Sequence, residues 1–233
     1  LTAGTAIASK VVTTDANIDT TGQRNLTITG ELDAATLDIS GDADIDGTSN
    51  LDIVDIDVSL DVNGTIKLDG NYPTGTANVA LGDTALDSLT SGNENTAIGS
   101  ASLTANTSGC YNVSVGKNSL KANTTACGNT AVGSLSLCQN TTGACNVAIG
   151  REALRNNTTA SNNTAVGKDA LNANTTGAEN VAVGSHALQK NTTGGVNVGI
   201  GLCALCSNTT ASNNTAVGGF SLCTNTTGTG NTA

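Results

Sequence analysis

From Asn78 onward the chain repeats one pattern of small, branched and polar positions with a period of 17 residues. An asparagine marks each period, at Asn78, Asn95, Asn112, Asn129, Asn146, Asn163, Asn180, Asn197, Asn214 and Asn231, with no residue gained or lost between them. Take that asparagine as position one. Position three is always small, as in Ala97, Ser114 and Gly199. Position four is β-branched in every repeat after Leu81, from Ile98 to Val217. Neighbours on a strand face opposite sides, and β-branched residues favour strands, so these positions predict a short strand with one small face and one branched face. Position five is Gly throughout, which predicts a corner needing positive φ or close backbone approach. Position nine is Leu throughout; Leu103, Leu120, Leu137, Leu154, Leu171, Leu188, Leu205 and Leu222 are the expected core. The segment from that Gly to position twelve reads equally as a second strand or one helical turn. Position twelve is Asn except at Leu89, which reads as a cap, and same-phase asparagines can form a hydrogen-bonded ladder. The invariant Thr that follows is expected to bond the turn backbone.

A register this strict means identical units stacked one on the next. The expected fold is all-β, a parallel β-roll or solenoid of 17-residue coils. Nine coils at about 4.8 Å each give a shaft of roughly 43 Å. Both strand faces look apolar, yet one coil has one interior. The second face therefore calls for another chain.

Ahead of the repeats the pattern changes. Residues 1–25 are Thr- and Ala-rich and read as a linker or cap. Residues 26–70 alternate with period two, as in Leu37, Ile39, Gly41, Ala43 and Ile45, and again in Ile56, Val58, Leu60 and Val62. This predicts a β-rich shaft segment with one wet, acidic face. Residues 71–77 carry the only Pro and form the boundary turn; residues 78–233 are the repeat array.

Composition narrows the functional classes. Two Tyr, one Phe and no Trp cannot fill a globular core, which suits a thin layered structure built rung by rung. Of the 19 acidic and 9 basic residues, 13 and 3 lie in residues 1–77, which carry the whole net charge of −10; the array holds 6 of each. A nucleic-acid partner needs a basic stripe, so none is expected. No apolar run approaches a membrane span. The chain begins at Leu1 and stops early in a repeat, and it is read as an excerpt of a longer polypeptide.

Candidate chemistry is sparse. Asp42, Asp44 and Asp46 match the opening of a calcium loop, but the twelfth position falls on Ile53, which cannot ligate. Alternation explains the three aspartates as an outward face. All seven Cys lie in the repeats. Cys110 with Cys127, and Cys206 with Cys223, share a phase in adjacent repeats, so each pair is a disulfide candidate. Cys203-x-x-Cys206 has no second such motif and no nearby His to make a zinc or redox site. His186, the only His, reads as a surface residue, and no Ser-His-acid spacing is visible. The Asn-Thr-Thr triplets match glycosylation acceptors, but the repeat itself forces them and ladder asparagines would be buried. No catalytic, cofactor or metal site is expected.

The repeat, as in Asn163-Thr164-Ala165-Val166-Gly167 through Asn174-Thr175-Thr176-Gly177, resembles the arrays of bacteriophage tail-fibre proteins. Leu51-Asp52-Ile53-Val54-Asp55-Ile56-Asp57 and the segment before it resemble fibre shafts of marine phages. The Asn-x-Ala-Val-Gly core is similar, more distantly, to head repeats of trimeric autotransporter adhesins, which pack three parallel β-rolls together. The resemblance implies a non-enzymatic homotrimeric fibre shaft in a virion. It would join other virion proteins and hold a host-receptor-binding tip lying beyond this sequence. The alternative is a bacterial surface adhesin or extracellular filament.

Overall fold

The structure is a computed structural model that describes residues 75–233. The expected segments 1–25 and 26–70, most of 71–77, and the candidates Asp42, Asp44 and Asp46 lie outside the described residues.

Each repeat contributes one three-residue strand: β1 Val79–Leu81, β2 Thr96–Ile98, β3 Val113–Val115, β4 Thr130–Val132, β5 Val147–Ile149, β6 Thr164–Val166, β7 Val181–Val183, β8 Val198–Ile200 and β9 Thr215–Val217. They form one 9-stranded parallel sheet in sequence order. Every pairing is shifted by one repeat, as in Ala131↔Ala148 and Ala148↔Ala165. One repeat is therefore one coil, and the array is a parallel β-solenoid.

The middle residue of each strand points inward. Ala97, Ala131, Ala148, Ala165 and Ala182 are fully buried, as is every position-nine Leu from Leu86 to Leu205. Leu222, in the last coil, is partly buried. Small strand residues let the opposing leucines reach across, so each coil fills its narrow interior with one large side chain. In three coils the interior is polar but satisfied: Ser102 Oγ donates to Ser114 Oγ at 2.7 Å, and Ser119 and Ser136 Oγ lie 3.0 Å apart.

The branched face is not covered within one chain. Ile98, Ile149 and Ile200 are 38–41% exposed, and Val115, Val132, Val166 and Val183 are half-buried. Within one chain this face is an outer surface.

The segment after the Gly is neither a second strand nor a helical turn. It is a run of tight turns, and amides between them bond to neighbouring coils. In the fifth coil the Ala153 N–H donates to Gly150 C=O (3.3 Å) and that of Asn157 to Leu154 C=O (3.1 Å). Between them the Glu152 N–H reaches back to Ser134 and that of Leu154 forward to Ala170, each at 3.0 Å. A helix keeps its amide bonds within one segment; here the stack collects them.

This zigzag needs positive φ at alternate residues: Gly150 at 131°, Glu152 at 59° and Leu154 at 50°. The left-handed conformation costs a residue with a side chain about 1–2 kcal/mol. Full burial of a leucine contributes roughly 1.5–3 kcal/mol, so the core gain offsets the strain at position nine. At position five the balance goes the other way. A Cβ on Gly150 would sit 2.6 Å from the Gly167 carbonyl oxygen, so only glycine lets adjacent coils close up.

Candidate functional site

Two buried asparagine ladders run through the stack. At position twelve, Asn157 Nδ2 donates to Asn140 Oδ1 in the coil before and to Ala160 C=O in its own coil, both at 2.9 Å. At position one, Asn146 Nδ2 donates to Asn129 Oδ1 at 3.2 Å and to the same Ala160 carbonyl at 2.9 Å. The two amides converge on one carbonyl and pin the Thr-Thr turn between them. The turn threonine adds a rung, with Thr158 Oγ1 donating to the Thr175 carbonyl at 3.1 Å. The first of these ladders was expected. The second, at the asparagine that marks the period, was not, although its recurrence was the signal. Leu89 stands where the position-twelve ladder would have another amide, so its acceptors begin at Asn106. Asn163 is a flaw in the position-one ladder, its buried Nδ2 lacking an acceptor. Burial of Asn123, Asn140, Asn157, Asn174, Asn191 and Asn208 takes their Asn-Thr-Thr triplets out of reach of glycosylation, while Asn225 in the last coil is half-buried.

The outward strand face is a regular surface feature of the array. Position four places Ile98, Val115, Val132, Ile149, Val166, Val183 and Ile200 in one file, one per coil. Position two adds a parallel file of Val and Thr. The position-four file is aliphatic, and neither file carries a charged side chain.

Charge gathers instead at the turn edge. Glu152 accepts from Arg151 and, at 3.2 Å, from Arg155. The Arg151 hydrogen bond, with help from Arg155, holds the Glu152 carboxyl below the usual glutamate range. One coil on, Asp169 lies 3.6 Å from Lys168 Nζ and 3.5 Å from His186 Nε2. Ser185 Oγ is 2.8 Å from His186 Nδ1. The stack thus assembles a Ser-His-Asp contact that the sequence reading did not find. Asp169 and His186 share a phase, and counting 17 would have paired them. The contact is built as an ion-pair cluster. Three amides beside it are already used: His186 N–H bonds Lys168 C=O, Ala187 N–H bonds Gly184 C=O, and Cys203 N–H bonds Ser185 C=O.

All seven Cys are free thiols. Cys110 and Cys127 are stacked in phase, and the Cys110 N–H donates to Cys127 Sγ at 3.1 Å. Cys206 and Cys223 are stacked likewise, with Cys206 Sγ donating to the Cys223 carbonyl at 3.6 Å. Neither expected pair is bridged, and the stack gives a reason. Residues related by one coil translation keep their Cβ atoms about 4.8 Å apart and their side chains parallel. A disulfide needs Cβ atoms converging to about 3.5–4.5 Å. Among the described residues no group of three or more His, Cys, Asp and Glu is placed to hold a metal ion.

Comparison with protein families, characterised proteins and solved structures finds no match to this chain. The functional reading therefore rests on the geometry of the stack and on its sequence pattern. No helix among the described residues is long and apolar enough to cross a membrane.

Proposed function

We propose that this chain is a structural fibre shaft, of the tail-fibre kind its repeats resemble, that self-associates as a homotrimer through the outward aliphatic file. Its role is to hold a host-binding tip at a fixed distance from a virion, joined at either end to other fibre proteins. It carries out no catalysis.

The observation that carries this reading is the unbroken file of branched residues on the outer strand face, with Ile98, Ile149 and Ile200 exposed along the stack. A contiguous aliphatic surface of this kind marks an interaction site. Its regularity suits a partner with the same spacing, which another copy supplies without any fitting. The ladders support the mechanical half of the proposal. Each coil is fastened to the next by backbone, asparagine and threonine bonds, which resist bending and stretching.

The test is sedimentation and small-angle scattering of the wild-type chain beside Ile149→Thr/Val166→Thr/Val183→Thr. Threonine keeps the branched strand preference while adding a hydroxyl to the face. The wild type is expected as an elongated trimer, and the variant as a monomer with unchanged circular dichroism. A compact wild-type monomer at micromolar concentration would overturn the proposal.

A further inference from the structure

The eighth and ninth coils bring three cysteines to one edge. Cys203 and Cys206 bracket a tight turn in which the Cys206 N–H donates to the Cys203 C=O at 3.3 Å. Residues that bracket such a turn have Cα atoms within about 7 Å. That separation overlaps the range a disulfide accepts. Cys223 stands one coil beyond Cys206 in the same phase, close enough for its carbonyl to accept from Cys206 Sγ at 3.6 Å. All three thiols are part-buried. Burial first, then the neighbouring Cys206 and Cys223, push the Cys203 thiol up.

We propose that Cys203 and Cys206 form a redox-active dithiol, which a small-molecule disulfide such as oxidised glutathione converts to a bridge within one coil. The step is a double exchange. One protein thiolate attacks the glutathione disulfide, forming a mixed disulfide and releasing one glutathione thiolate. The second protein thiol loses its proton to solvent and displaces the other glutathione thiolate as the Cys203–Cys206 bond closes. The protein dithiol is oxidised by two electrons and oxidised glutathione is reduced to two glutathione molecules. Turn geometry selects this pair over Cys206 with Cys223. The ends of a turn can converge, whereas in-phase side chains are held parallel by the coils beneath them. The bridge closes around Leu205, a buried residue at positive φ, and so locks a strained turn that the thiol form leaves to packing alone.

The experiment uses the full chain, incubated with oxidised glutathione, quenched with acid and alkylated at its remaining thiols under denaturing conditions. Trypsin then releases residues 191–233, which contain these three cysteines and no Lys or Arg after Lys190. The expected fragment is lighter by two hydrogens and alkylated only at Cys223, and chymotryptic cleavage after Phe220 frees the Cys223 piece without reduction. The bridge is expected to persist in Cys223→Ser and to vanish in Cys203→Ser. Pieces that stay joined across Phe220, a link between chains, glutathione adducts without a bridge, or three alkylated cysteines in the wild type would each overturn the proposal.

Discussion

Replacing Asn157 by Asp tests the ladders with almost no change of shape. The wild-type amide gives one hydrogen to Asn140 Oδ1 and one to the Ala160 carbonyl, and accepts from Asn174 Nδ2, all at 2.9 Å. Ala160 keeps a second donor in Asn146. Asn140 Oδ1 has no such reserve among the bonds described. The new carboxyl, when protonated, can donate one hydrogen, so at low pH the variant loses about one hydrogen bond, or roughly 0.5–1.5 kcal/mol. When ionised it donates none and places a buried charge against two oxygen acceptors. Its folded pKa must therefore rise above the unfolded value of about 3.9. A raised folded pKa means that the stability is fully present below the unfolded pKa and is lost as pH rises towards the folded one. The extra loss is about 1.4 kcal/mol per pH unit while the folded carboxyl stays protonated. Between pH 4 and about pH 6 the variant should lose roughly a further 3 kcal/mol relative to wild type. Thermal melting followed by circular dichroism across that range, with half-buried Asn156→Asp as control, measures it. If the melting of Asn157→Asp tracked wild type at every pH, the ladder would be incidental to stability.

Leu154→Ala should cost ~2–5 kcal/mol because it empties the interior of one coil, whereas Arg155→Ala, at the half-buried edge, should stay within about 1 kcal/mol; equal melting shifts would refute the inward and outward assignment. Gly150→Ala combines positive φ with a clash against the next backbone, and should cost about 1–3 kcal/mol for strain alone, with amide exchange quickening in the flanking coils first. The Arg151–Glu152–Arg155 cluster should contribute little. Since its hydrogen bonds hold Glu152 below the usual range, that small contribution is present above the unfolded glutamate pKa and fades as pH falls through the lower folded value; Glu152→Ala should therefore flatten a shallow acid limb in the melting profile.

Much of this fold was legible because a strict period turns a long-range problem into a local one. Once residue 148 must lie beside residue 165, alternation along three residues decides which side of Ala148 and Ile149 faces in. The invariant Gly announced its corner, and the leucines their interior. The path between them was hidden for a physical reason. Positive φ at Glu152 and Leu154 leaves no mark on residue choice when the core demands Leu and the edge accepts almost anything. Hydrogen bonds that leave the coil likewise have no local signature, so a helix and a chain of turns look alike. The Asp169–His186 contact was missed because spacing was judged along the chain instead of along the stack. Whether the outer aliphatic face is covered depends on atoms of other chains, which no reading of one coil contains.

The ladders have a direction. Side-chain amides such as those of Asn157 and Asn174 donate to the preceding coil and leave an oxygen for the next. Any interior coil therefore presents the same socket below and the same plug above, and removing or duplicating one whole period rejoins matching parts. Gains or losses of any other number of residues would set leucine against glycine and plug against side wall. Length in such an array can drift only in whole steps, each about the thickness of one strand. Unequal recombination between near-identical segments supplies steps of that size. A lineage carrying this array could change its length one coil at a time and keep the ladders in register.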